Sequence, residues 1–318
     1  MMQTWQPTSA EESGYFWALS DAISIVESKF PSMLVPVRDG ELCIFSDYSG
    51  QHKGAQFEAY SYLLVTEAEV QAWLPLRDAW RQNYLPDGRR LSFKKLRENS
   101  RNRAFLPFLD LCSQLKGNVV TFLVDSRIER IADFDVKAAF PDCFDGAESD
   151  FTTEKMFRVA GFLALVLAGL RREDQVSNWV SDHDEALETH ERREGLAKLM
   201  AYLIFGFAGW RHPADCYFGT TESKYTLDWY EDLSAIPDIF AGAYCKLAAT
   251  LPFRFRNRSI QILTSEDIAE QDDRASTVGR WLATNDGQLR HVLARLELDE
   301  KRDVRATAQF MAGWRKSC

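Results

Sequence analysis

The sequence predicts an α/β fold, a sheet flanked by helices, with a helical extension at its C-terminal end. Three observations carry this. Short continuous apolar runs (Leu42 to Phe45, Ala59 to Val65, Val119 to Val124) have the length and β-branched or aromatic content of buried strands. Between them lie longer stretches whose apolar residues recur at steps of three and four, the period of a helix face. The last fifty residues are charged and helical in pattern, with Trp281, Leu282, Leu289, Val292, Leu293 and Leu296 as apolar positions.

Phe16, Leu19, Ile23 and Val26 share one helical face and predict a first helix over Gly14 to Glu27. Pro31 and Pro36 break the chain, and a strand follows over Glu41 to Ser46, ending in Asp47-Tyr48-Ser49-Gly50. The second strand spans Ala59 to Val65. Thr66 with Glu69 then makes a capping box, opening a helix through Val70, Trp73 and Leu74 that Pro75 kinks or restarts before Trp80. The turn Pro86-Asp87-Gly88 leads into a basic stretch, Arg89 to Arg103, and a helix from Phe105 to Leu115 with Pro107 in its first turn. Val119 to Val124 is the clearest strand and closes on Asp125. Residues 133–150 read as an acidic surface loop. Two apolar helices, Thr153 to Leu170 and Glu191 to Phe207, flank a short strand Val176 to Val180 that ends in Ser181-Asp182-His183-Asp184-Glu185. Tyr225 to Tyr230 is a further strand candidate. Ile236-Pro237-Asp238 then starts a helix through Ala249, which sets Asp238 at the positive end of that helix.

With 46% hydrophobic residues, 13% aromatics, 10 Pro and 17 Gly in 318 residues, the chain has the composition of a folded globular protein. Its 38 Lys and Arg against 47 Asp and Glu give a formal charge of -9. Such a far field repels phosphate backbones and anionic lipid, which argues against a protein that coats DNA or membranes. It leaves room for an enzyme that meets nucleic acid through bound metal and a local basic strip. The six cysteines are scattered without a Cys-x-x-Cys pair, so neither a zinc site nor a disulfide framework is expected. The N-terminus lacks the pattern of a signal peptide, and the longest apolar run, Val159 to Leu170, is short of the ~20 residues that span a bilayer. A reducing cytoplasm is the compartment expected.

Three carboxylate-bearing features share one layout: a strand ending in Asp47, a strand ending in Asp182 and Asp184, and a helix beginning at Asp238. Strand ends and a helix start converge at one sheet edge even when far apart in sequence. Carboxylates gathered there suit Mg²⁺ or Mn²⁺, which take oxygen ligands; a pair of such ions ~3.5–4 Å apart activates water and stabilises the leaving oxygen of a phosphodiester. Each residue also has a plain structural role: turn chemistry for Asp47, a solvated cap for Asp182 and Asp184, a dipole partner for Asp238. Asp125 is a secondary candidate, and His183 and Glu185 are accessory ones. The basic run Arg89, Arg90, Lys94, Lys95, Arg97, Arg101 and Arg103 reads either as solvated surface or as a phosphate-contacting strip, with Lys94, Lys95 and Arg97 as substrate-binding candidates. No phosphate-cradling Gly loop, dinucleotide fingerprint or nucleophile elbow is present.

The order strand, Asp47-Tyr48-Ser49-Gly50, second strand, helix, strand and the late Pro237-Asp238-Ile239-Phe240-Ala241-Gly242 element resembles the RNase-H-like family catalogued as domain of unknown function 3800. Members of that family typically carry Asp-Glu-Ser-Gly and Ala-Asp-Leu-hydrophobic-Ala-Gly at these places. The resemblance covers Leu42 to Leu247. It implies an RNase-H-like mixed sheet in residues 41–250, between an N-terminal helical segment (1–40) and the C-terminal helical extension (251–318). It further implies a two-metal nuclease acting on DNA or RNA, with Asp47, Asp182 or Asp184, and Asp238 as catalytic metal ligands. Tyr48 stands where the family has Glu. That substitution motivates an alternative, a catalytically silent RNase-H-like scaffold that binds a partner protein in a defence or mobile-element complex.

Overall fold

The computed structural model describes residues 4–8, 14–31, 33–147, 149–182, 184, 187–210, 214–221, 228–248, 261–263, 268 and 274–311. Eight strands form one mixed sheet in the order β5-β4-β1-β2-β3-β7-β8-β6. They are β1 (Leu42–Ser49), β2 (Phe57–Thr66), β3 (Gly117–Asp125), β4 (Ser177–Ser181), β5 (Cys216–Thr220), β6 (Gln261–Leu263), β7 (Leu289–Leu298) and β8 (Val304–Met311). β1, β2 and β3 form an antiparallel meander, while β4 lies parallel to β1 and β5 parallel to β4. On the other side β7 runs parallel to β3, β8 pairs antiparallel with β7, and β6 lies parallel to β8.

The helices are α1 (Tyr15–Lys29), α2 (Glu67–Tyr84), α3 (Asn99–Ser113), α4 (Val136–Ala139), α5 (Asp150–Leu170), α6 (His190–Ala208), α7 (Asp228–Leu247) and α8 (Arg274–Thr284). They cover both faces of the sheet. Leu42 and Ile44 of β1 point into a core shared with α1, α5 and α6, whereas Cys43 and Phe45 point into a second core shared with α2, α3, α7 and α8. A strand sandwiched between two apolar layers has no polar face to show, so β1, β2 and β3 read as unbroken apolar runs. The α5 helix is apolar around nearly its whole circumference because it is buried from Thr152 to Leu170 except at Glu154.

Three expectations are corrected. Residues 251–318 are not a helical extension: after α8, both β7 and β8 join the sheet, and β7 lies beside β3. Leu289, Val292, Leu293 and Leu296 match the helical spacing, but in a strand covered on both sides every position can be apolar, so that spacing does not discriminate. Residues 228–230 open α7 and are not a strand; residues 225–227 lie outside the described residues, and the fifth strand is Cys216–Thr220. Pro237 lies inside the twenty-residue α7 and not in its first turn, so Asp238 is a mid-helix residue. Likewise α2 runs on through Pro75.

Candidate functional site

The alternation of β1 sends Asp47 to the α7 side of the sheet, where it is buried at 8% exposure. One of its carboxylate oxygens accepts the backbone N–H of Tyr48 at 2.6 Å. Beyond it, Gly50 turns the chain: its φ of +82° is open to glycine, and a Cβ there would stand 2.0 Å from the Phe57 carbonyl oxygen. The Asp-x-Ser-Gly run thus combines a buried carboxylate with the glycine that lets the chain leave β1.

Asp182 arrives from the neighbouring strand. Its N–H donates to the Ser46 carbonyl at 3.1 Å, continuing the β1–β4 ladder one step past β4 and setting Asp182 alongside Asp47. The Asp182 carboxylate accepts Arg90 Nη1 at 3.0 Å and the Thr221 hydroxyl at 2.8 Å. Asp238 comes from α7, which packs on β1 and β2, and accepts the backbone N–H of Phe93 at 2.7 Å. Three elements far apart in the sequence, β1, the end of β4 and α7, therefore contribute one carboxylate each to the same place.

The electrostatics follow from that crowding. Burial, then the charges of Asp238 and Asp182, push the Asp47 carboxyl well above the usual carboxylate range, against the pull of the Tyr48 N–H and Arg90. Asp238 is pushed up to about 6, mainly by burial and with help from Asp182, while the Phe93 N–H, Arg90 and Lys94 work the other way. Burial works against the Arg90 cation, but Asp182, Asp47 and Asp238 outweigh it and hold the guanidinium charged. Arg90 Nε is buried without a hydrogen-bond partner among the described residues. Sequence reasoning placed Arg90 in the basic run without separating it from the rest; the turn Pro86-Asp87-Gly88 just ahead of it is the one signal that the run folds back.

The other candidates fall elsewhere. Asp184 pairs with Lys155 Nζ at 2.9 Å on α5, so Asp182 and not Asp184 joins Asp47. Tyr48 projects to the α5 side, where its hydroxyl lies 3.1 Å from Ser46 Oγ and 3.3 Å from Ser181 Oγ, and its ring lies 5.5 Å from that of Tyr60. Asp125 is held by the Arg127 side chain and backbone N–H, which outweigh burial and lower its carboxyl below the ordinary range. Lys94, Lys95 and Arg97 are exposed on and just after a 3-10 turn at Phe93–Lys95. Arg89 pairs with Asp87, and Arg101 is buried with its Nε on the Arg90 carbonyl at 2.8 Å, so it serves to shape the segment. His183 and Glu185 lie outside the described residues.

Among the described residues no group of three or more His, Cys, Asp or Glu is arranged to hold a metal ion. Asp182 is engaged with Arg90 and Thr221, so the cluster is held together by a guanidinium. Among the described residues no helix is long and apolar enough to cross a membrane. No protein-family model matches the chain, and a search of curated proteins finds no similar sequence.

Proposed function

We propose that the protein is an RNase-H-like, divalent-metal-dependent nuclease that cleaves phosphodiester bonds in DNA or RNA. The observation that carries the reading is the convergence of Asp47, Asp182 and Asp238 from β1, the end of β4 and α7. The strand arrangement supports it: an antiparallel β1-β2-β3 meander with β4 and β5 added parallel to β1 is the sheet expected of an RNase-H-like fold, and β7, β8 and β6 extend it.

The donor set suits Mg²⁺ or Mn²⁺ in kind, since all three groups are carboxylates. Two of them carry raised affinities for protons, first because they are buried and then because the carboxylates crowd one another. Asp47, Asp182 and Asp238 would hold the ion, with Arg90 releasing Asp182. When bound, the metal supplies an activated water and charge neutralisation at the scissile phosphate. Arg90, whose Nε lacks a partner among the described residues, then turns to a phosphate oxygen, and exposed Lys94 and Lys95 steer the strand toward it.

The test is a cleavage assay on single- and double-stranded DNA and RNA with Mn²⁺, run beside Asp47→Asn. Metal-dependent cleavage abolished by the substitution is expected; activity that survives it sinks the reading. The engagement of Asp182 with Arg90 favours a second reading, a catalytically silent scaffold that binds a partner protein. Calorimetry decides between them, because the scaffold takes up no Mn²⁺ whereas the nuclease binds it saturably and loses it in Asp47→Asn.

A further inference from the structure

Across the sheet from the carboxylates, a cavity of about 580 Å³ opens between the N-terminal half of α5, the start of β2 and the segment that follows β3. Its size is that of a small-molecule site. The floor is a fixed polar web: Arg158 donates to Glu58 at 2.9 Å, to Glu154 at 2.8 Å and to the Ile128 carbonyl at 2.6 Å, and Tyr60 donates to Glu58 at 2.7 Å. Arg158 is 4% exposed, so the web is built in and not draped over the surface. The wall carries Phe134 and Phe151, whose exposures of 45% and 55% are unusual for phenyl groups. It also carries Gln51, whose Nε2 is buried without a hydrogen-bond partner among the described residues.

Charge narrows what fits. Among the described lining residues five are acidic and four basic. The cations are already engaged: Arg158 as above, Lys155 with Asp184, Arg130 with Asp150 at 3.6 Å, and Lys137 with the Ala147 carbonyl at 3.1 Å. With five acids against four bases, the lining carries no net positive charge to hold a phosphate. It offers flat apolar faces, one buried amide donor in want of an acceptor, and carboxylate acceptors. That combination suits an uncharged ring with hydrogen-bonding edges, stacked on phenyl faces and read by polar groups.

We infer that this cavity binds an uncharged heteroaromatic ring of the nucleobase type. Gln51 lies two residues past the end of β1, and Lys155 is bonded to Asp184, two residues past Asp182, so the cavity lies at the same end of β1 as the carboxylate cluster. Resting on the nuclease reading, the ring belongs to an unpaired nucleotide flanking the scissile phosphate, which makes single strands or frayed ends the substrate class. A free nucleoside presents the same chemistry and is the other source.

The test uses the full chain in EDTA, where cleavage is silent. Fluorescence anisotropy compares a labelled short oligothymidylate with an abasic oligomer of the same length, on wild type, Phe151→Ala and Gln51→Ala, with thymidine as competitor. The base-bearing strand is expected to bind about tenfold more tightly than the abasic one, with both substitutions erasing that margin and leaving the abasic affinity unchanged. Competition by thymidine at comparable concentration assigns the pocket to free nucleosides; its failure to compete assigns the pocket to strands. Equal binding of the two oligomers, no binding of either, or a margin that survives Phe151→Ala overturns the inference. Failure of the nuclease reading is separate: it is absence of Mn²⁺-dependent cleavage in a protein that still prefers base-bearing strands.

Discussion

Tyr48 stands one residue past Asp47 and on the opposite face of the sheet. Asp47 faces α7 and the other carboxylates, whereas the Tyr48 hydroxyl lies between Ser46 and Ser181 and its ring packs on Tyr60 and Tyr62. A glutamate at position 48 would follow the same strand alternation and end on the α5 side, near Asp184. A Tyr in place of a Glu at position 48 therefore leaves the Asp47 cluster intact. Tyr48→Glu is expected to destabilise the fold by about 1–3 kcal/mol, because it trades a packed ring for a half-buried carboxylate without a cation of its own. Urea unfolding measures the loss, and Mn²⁺ titration of the variant is expected to show no gain in affinity. A clear gain would place residue 48 in the metal site.

Arg90 is the cation that keeps the cluster together. Without it the Asp47 and Asp238 carboxyls rise further, so their ionised forms cost more stability. Above the folded pKa of these groups the cost is felt in full, and below it the carboxyls are protonated and indifferent. Arg90→Gln is therefore expected to lower the melting temperature more at about pH 8 than at about pH 5. Thermal melts at the two pH values decide; an equal loss at both would make Arg90 a packing residue only.

Asp238 sets the direction of the pH dependence. Its carboxyl is raised from 3.8 to about 6 in the folded protein. A group with a raised folded pKa favours the folded state when protonated, so its contribution is full below about pH 4 and is lost as pH rises through about 6. Asp47 acts in the same sense. The metal-free protein is expected to lose stability across that window, and Asp238→Asn to flatten the slope. Mn²⁺ affinity runs the opposite way, rising with pH as protons leave. Melting curves from pH 4 to 8 with and without Mn²⁺ check both; an unchanged slope in Asp238→Asn would remove this carboxyl from the account.

Much of this was legible in the sequence, and the failures have physical causes. β1, β2, β3, β4, α1, α5 and α6 follow from apolar runs and helical spacing, and two of the three convergent carboxylates sit at or next to strand ends so defined. Asp238 joins the cluster from mid-helix and not from the helix start that the sequence suggests. Pro237 resembles a first-turn proline, yet packing of Leu233, Ile236, Ile239 and Phe240 into the α7-side core carries the helix across it. β5 is not legible in the sequence because it is a partly exposed edge strand, intermediate at four of five positions and without clean alternation. Asp182 and Asp184 are equivalent in sequence and are separated by tertiary partners alone, Arg90 for one and Lys155 for the other.

Gly242 ends the Asp-Ile-Phe-Ala-Gly run of α7, and its neighbour explains why the position is bare. A Cβ on Gly242 would stand 2.3 Å from Cδ1 of Phe93, and the N–H of that same Phe93 donates to Asp238. Gly242→Ala must therefore push the Phe93 segment away from α7, stretching the hydrogen bond to Asp238 and displacing Lys94 with it. A loss of about 1–3 kcal/mol is expected from overpacking, together with weaker Mn²⁺ binding. Gly206 is the control. It lies in α6 with nothing within 4 Å of its would-be Cβ, so Gly206→Ala keeps only the helix-propensity gain of about 0.5–1 kcal/mol. Urea titration of the two variants should give opposite signs. If Gly242→Ala proved as benign as Gly206→Ala, the contact between Phe93 and α7 would not be what positions Asp238.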